Sequence, residues 1–251
     1  MRSWLRCGRR IAVTAAAIGR ALAGVESRSL SQVLAHLARH HGLSIEVAGE
    51  PPRRPCVLVA NHVSYLDPIA LLALVPARPI CKGEVGDWPL LGPAVRATGV
   101  LFVDRACAWS GARVLRRALA ALDAGDSVLN FPEGTTTTGE DVLPFRRGIF
   151  GAARLARVPI VPVALSYADP ESAWTGDQTF IPHYLKTARR ERVHVRVAFG
   201  AAIAPRRPAA DLAAEARRRI LSMLRSEHVV TAERIRVPET RSDSVLPAAV
   251  G

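Results

Sequence analysis

Hydrophobic positions along the chain fall into short apolar runs separated by helical stripes. Residues 57–60, 100–103, 127–131 and 160–164 are runs of strand length, each ended by polar or turn residues, and they read as buried strands. Residues 44–47 and 193–199 alternate apolar with polar and predict half-exposed strands. A short strand over residues 79–82 ends in Lys82. Helices are predicted over residues 31–41, where Val33, Leu34, Leu37 and Ala38 share a face and Gly42 is placed to end the helix. Others follow over 69–74, 111–124 (Val114, Leu115, Leu119 and Leu122), 148–156 and 209–224. Strands alternating with helices predict a single α/β domain, a mixed, mostly parallel sheet flanked by helices. Pro162, inside an apolar run, predicts an edge strand or a bulge. Trp174, Phe180, Pro182 and Tyr184 mark an aromatic insert, read as a loop anchor or as a contact for lipid or an acyl chain.

The two ends differ from this pattern. Residues 1–25 carry Arg2, Arg6, Arg9, Arg10 and Arg20 and no acid. The uncharged stretch between Arg10 and Arg20 is nine residues, short of the roughly 20 that span a bilayer, and a secretory signal is disfavoured. Two readings stand side by side: a basic, Trp4-bearing amphipathic helix lying on a membrane surface, and a surface helix with a solvated arginine face. A transit peptide has a similar composition. Residues 229–251 turn polar and predict a disordered tail. The expected division is therefore a helical membrane-associating segment (1–42), the α/β domain (43–228) and the tail.

Charge adds a constraint. Lys and Arg number 34 against 22 Asp and Glu, a net +12, which suits an anionic membrane face or nucleic acid. Aromatics are only 5% and no nucleic-acid module is recognisable, so no nucleic-acid partner is expected. A hydrophobic fraction of 49% excludes a disordered chain. Cys7, Cys56, Cys81 and Cys107 form no Cys-x-x-Cys pair and read as free thiols in a reducing compartment, without metal.

The chemistry centres on the stretch from Val57 to Pro68. The strand stops at Asn61-His62, and Asp67-Pro68 reads as a helix start with Asp67 as N-cap and Pro68 at the first helical position. A His and an Asp thus share the loop between a strand and a helix, at the end of an open α/β sheet where ligands bind. A neutral imidazole can take a proton from a hydroxyl while a carboxylate fixes its tautomer. The alternative is a cap and a polar strand end, and chance alone gives about 0.3 such pairs in a chain of this composition.

Three further blocks stand downstream: Gly99-Val100-Leu101-Phe102-Val103-Asp104-Arg105, Phe131-Pro132-Glu133-Gly134-Thr135 and Val158-Pro159-Ile160-Val161-Pro162-Val163. With Asn61-His62-x4-Asp67 they resemble, in order and spacing, the glycerolipid acyltransferase family, of the bacterial 1-acylglycerol-3-phosphate acyltransferase kind, over roughly residues 50 to 205. The resemblance implies transfer of an acyl group from acyl-CoA or acyl-carrier protein to a lysolipid hydroxyl, with 1-acyl-sn-glycerol-3-phosphate as first acceptor and phosphatidic acid as product. It implies His62 as base and Asp67 as its orienting carboxylate. Lys82, Arg105, Glu133, Gly134 and Thr135 would form the acceptor site. Anionic membrane lipids are the implied partners, with a peripheral place on the cytoplasmic face of the inner membrane; no cofactor or metal is implied. One residue departs: many members carry Arg after Glu-Gly-Thr, and here stands Thr136. Arg146 or Arg147 could replace that cation, or the acceptor is another lysolipid such as lyso-ornithine lipid. A thioesterase and a non-enzymatic basic membrane binder are the remoter readings.

Overall fold

All four residues of β2 (Val57–Ala60) are buried. Leu58 and Ala60 enter one hydrophobic core and Val57 and Val59 the other, so this strand is apolar on both faces because helices cover both. The protein is described by a computed structural model that places residues 1–22, 30–86, 99–103, 110–176 and 178–226. The other strands are β1 (Leu43–Ala48), β3 (Arg78–Lys82), β4 (Leu101–Val103), β5 (Val128–Asn130), β6 (Ile160–Tyr167) and β7 (Val193–Phe199). They form one seven-stranded sheet in the order β1-β7-β6-β2-β5-β3-β4. Every neighbouring pair is parallel except β6 and β7. The C-terminal ends of β6, β2, β5, β3 and β4 therefore share one side of the sheet with the N-terminal ends of β7 and β1.

Helices α2 (Leu30–His40) and α3 (Asp67–Leu74) cover one face, where Ala38, Ala70, Leu71 and Leu72 pack on Leu58 and Val163. The other face is covered by α5 (Ser110–Asp123), α6 (Gly148–Ala156) and α8 (Ala209–Arg225), which follow the short turn α4 (Gly83–Gly86) in number. The strands and these helices lie within a residue or a few of where the hydrophobic pattern puts them.

One expectation is met in the second of its two forms, and two are changed. Pro162 sits in an interior strand, not at an edge. The Ile160–Ile203 bridge and the Val163–Phe199 pair enclose two residues on β6 and three on the opposite strand. This is a bulge, and the Pro162 carbonyl accepts from Gly200 N across it at 2.9 Å. The aromatic insert contains a helix, α7 (Phe180–Arg189), whose buried face is His183, Thr187 and Ala188. Its polar inner residues hid the apolar stripe. Helix α1 (Arg2–Leu22) is present, but its arginine face is not simply solvated. Arg10 is buried, and its guanidinium donates to the carbonyls of His40, Ala188, Arg190 and Glu191 at the ends of α2 and α7. The outward side of α1 is apolar: Met1, Trp4, Leu5 and Ile11 are exposed. The expected tail, and Cys107 with it, lie outside the described residues; Cys7 and Cys56 are buried free thiols, and Cys81 is a half-buried one.

Candidate active site

The backbone leaves the sheet after Ala60, and the Asn61 side chain carries the ladder one rung further. Its Nδ2 donates to Leu165 O at 2.9 Å, and its Oδ1 accepts from Leu165 N at 2.8 Å. The following residue is thereby held at a fixed height above β2. His62 Nδ1 lies 2.7 Å from Asp67 Oδ2. Asp67 is the first residue of α3 but does not cap it: Leu66 occupies the N-cap position and no side chain bonds the helix there. The carboxylate points back into the loop, where Oδ2 also accepts from Val63 N at 2.7 Å and Ser64 N at 2.9 Å, and Oδ1 accepts from the Tyr167 hydroxyl at 2.6 Å. Four donors on a fully buried carboxylate replace the hydration it has lost. Burial, followed by the charge of Asp67, pushes the Tyr167 phenol far above its usual range, so it remains a donor.

This arrangement fixes the imidazole. Asp67 can only accept, so the Nδ1 proton belongs to the ring and Nε2 carries the lone pair. One ring face stacks on Phe131, with centroids 4.1 Å apart and planes at 20°. The side chain keeps 21% of its surface exposed, enough for Nε2 to meet a substrate. The peptide on both sides of the ring is tied as well. His62 N donates to Glu133 Oε1 at 2.8 Å, and His62 O accepts from Thr137 N at 2.8 Å.

Glu133 is the second surprise. It is 6% exposed, and its other oxygen accepts from Leu143 N at 2.8 Å. Burial pushes its carboxyl above the usual glutamate range, against the pull of the Leu143 and His62 amides. Each oxygen of Glu133 therefore has a backbone partner, and the residue clamps the His62 loop to the 134–143 loop. Gly134 beside it holds φ +77°, a conformation that glycine adopts without strain.

The Thr-rich loop closes the frame. Thr136 Oγ1 donates to Trp174 O, and Trp174 N donates to Val63 O at 2.9 Å. Tyr65 meets Trp174, Phe180 and His183 edge-on. The aromatic insert is thus an anchor for the His62 loop.

The remaining expected residues that the structure describes share this end of the sheet without touching the dyad. Lys82 is half-buried at the end of β3, two strands from β2 and so about 10 Å to the side. Thr135 is exposed. Arg146 donates its backbone N to Pro132 O at 3.0 Å, which sets an exposed guanidinium beside the Glu133 loop. Arg105 and Asp104 lie outside the described residues. Asn61 and Phe131 stand inside the quoted blocks but received no role from the sequence, and Tyr167, at the end of an apolar run, gave no signal. Among the described residues, no group of three or more His, Cys, Asp or Glu could hold a metal ion.

A base-and-carboxylate pair at the strand ends of a mostly parallel sheet has the geometry to take a proton from a substrate hydroxyl. Comparison with known proteins agrees. Residues 44–166 match the model of the Acyltransferase family. The lyso-ornithine lipid O-acyltransferase of Brucella abortus is 33% identical over 65% of this chain and 68% of its own length. That of Pseudomonas aeruginosa is 38% identical, over 65% and 66%. The human 1-acyl-sn-glycerol-3-phosphate acyltransferase alpha is 36% identical, over 59% and 56%. The crystal structure of the 1-acyl-sn-glycerophosphate acyltransferase of Thermotoga maritima shares the fold, with TM-score 0.58 and 21% identity over 92% of this chain and 100% of that one. The chain belongs to the glycerolipid acyltransferase family. It spans about two thirds of the length of the two lyso-ornithine relatives.

Proposed function

We propose that the protein transfers an acyl group from a thioester to the hydroxyl of a lysolipid. The observation that carries this is the His62–Asp67 contact of 2.7 Å, with the carboxylate immobilised by three further donors and Nε2 turned outward. Nε2 takes the proton of the acceptor hydroxyl as its oxygen attacks the thioester carbonyl. The C–S bond then breaks, and the thiolate recovers the proton from the imidazolium. No acyl-enzyme forms, and Asp67 keeps its charge throughout.

The acceptor follows from the loop beside the base. A phosphate on the acceptor would use Lys82 and Arg146, the cations at this end of the sheet among the described residues named above. Thr136, however, stands where an arginine would strengthen that site, and its hydroxyl is engaged by Trp174 O. This favours an acceptor without a phosphate, of the lyso-ornithine kind, over lysophosphatidate. Thiol release from an acyl thioester, measured with a panel of lysolipids, tests both levels. Release that needs lyso-ornithine lipid supports the full reading. Release that needs lysophosphatidate changes the acceptor, and release without any acceptor replaces the transferase by a thioesterase.

The reaction takes place on a membrane surface in this reading. No helix among the described residues is long and apolar enough to cross a membrane. Met1 and the α1 residues Leu5 and Ile11 are instead exposed on one side, together with Gly8, Ala12, Ala15 and Ala16, and beside them Trp4 is exposed with its ring against the Arg189 guanidinium at 3.6 Å. Such a stripe with flanking arginines suits the headgroup boundary of an anionic leaflet. Co-sedimentation with anionic vesicles should fall for Trp4→Ser/Leu5→Ser while the fold persists; undiminished binding would remove α1 from this role.

A further inference from the structure

An arginine-lined cleft opens at the same end of the sheet as the dyad. It has a volume of about 1050 Å³ and lies between α1, the end of α2 and the first residues of β1 and β7. Because β1 and β7 run against the rest of the sheet, these strand beginnings share the end where His62 leaves β2. Tyr167, whose hydroxyl bonds Asp67, is part of the cleft wall, so the cleft and the base are separated by two hydrogen bonds.

Its chemistry is one-sided. Six arginines line it against two glutamates. Some of that charge is already engaged: Arg10 by four carbonyls, Arg6 by Arg189 O and Arg196 by Glu46 at 3.8 Å. Arg9 and Arg192 are exposed and have no hydrogen bond or ion pair with a described residue. Between them the floor is polar: Ser44 and His194 are outward positions of the alternating strands β1 and β7, and Ser166 lies at the end of β6 beside them. A concave site of this volume is the size of a small-molecule pocket and not of a protein-docking face. Arginine forks suit phosphate oxygens in pairs.

We infer that this cleft seats the phosphates of a nucleotide-borne acyl donor, a coenzyme A thioester, whose pantetheine arm then runs past Tyr167 to His62. The inference rests on the transferase reading and names the donor for it. A lipid headgroup is the other source of phosphate. Arg6 and Arg10 lie on the side of α1 that faces the protein, opposite the apolar stripe, which favours the soluble donor.

The test compares two donors with one fixed lysolipid acceptor: an acyl-CoA, and the same acyl group on pantetheine, which lacks the nucleotide. Arg192→Glu and, separately, Arg9→Ala are expected to raise KM for acyl-CoA about 10-fold, the value of a charge-assisted hydrogen bond. KM for acyl-pantetheine and kcat at saturation should stay unchanged. Equal losses with both donors would overturn the inference, as would unchanged kinetics accompanied by weaker binding to anionic vesicles. Equilibrium binding of free coenzyme A to the full chain gives a readout that does not need turnover. Binding that Arg192→Glu weakens about 10-fold supports the cleft even if no acceptor is acylated, whereas a chain that transfers from acyl-carrier protein and does not bind coenzyme A refutes it.

Discussion

The hydroxyl of Tyr167 donates to Asp67 Oδ1 at 2.6 Å, across 100 residues of chain. It ties the strand end of β6 to the His62–Asp67 pair. That bond stabilises the carboxylate and so tempers its hold on the imidazolium. Without it Asp67 is the stronger partner, and the acid limb of kcat/KM against pH moves to higher pH in Tyr167→Phe. Turnover on the plateau should fall only several-fold, the value of about 1–2 kcal/mol. A purely structural tyrosine would lower activity and leave the limb in place, so the pH profile decides.

Removing the base and removing its partner should differ in stability. His62→Ala is expected to lower kcat about 10²–10⁴-fold with little change in unfolding midpoint, because the ring is partly exposed and stacks on one aromatic. Asp67→Asn loses similar activity and, in addition, about 1–3 kcal/mol of stability. Its amide cannot accept at every position where Val63 N, Ser64 N and Tyr167 now donate. Paired kinetics and urea unfolding check this.

Glu133 carries a pH signature. Its folded pKa is raised by burial. A raised carboxyl is still protonated in the folded chain when the unfolded chain has already lost the proton. The stability it contributes is therefore present below the usual glutamate value and is lost as pH rises through the folded one. The difference in unfolding free energy between Glu133→Gln and the wild type should accordingly shift in favour of the variant as pH rises above about 4.5. A flat difference across that range contradicts the assignment. Turnover should fall as well, since one of the two backbone clamps on the loops is weakened.

Thr136→Arg tests the acceptor loop. The substitution restores a cation and removes the bond to Trp174 O. KM for a phosphate-bearing lysolipid should drop several-fold, corresponding to one exposed charge-assisted contact of about 1 kcal/mol. An acceptor without phosphate should gain nothing.

Much of this architecture was legible in the sequence, for a local reason. Val57 to Ala60 is fully apolar because both faces of β2 are covered, and Gly42, at φ +70°, ends α2 where the stripe stops. What escaped was non-local. Asp67 beside Pro68 has the form of a helix cap, and only the fold turns its oxygens toward His62, Val63, Ser64 and Tyr167. Glu133 carries no sign in the sequence of the two amides, His62 N and Leu143 N, that its oxygens accept from. Arg10 looks like one of several solvated arginines, yet it meets carbonyls contributed by two different helices. Partners as far apart as Glu133 and His62 (71 residues) or Arg10 and Glu191 (181 residues) leave no periodicity behind.

The ties around His62 have a consequence for how such an enzyme changes over time. The loops meet through peptide groups: Thr137 N on His62 O, Trp174 N on Val63 O, Arg146 N on Pro132 O. Peptide groups survive almost any side-chain exchange. Residues such as Thr135, Thr138 and Arg146 can therefore drift, and the choice of lipid with them, while the base stays where it is. One scaffold can in this way diversify into a family of lipid acylators by exchanging surface side chains alone.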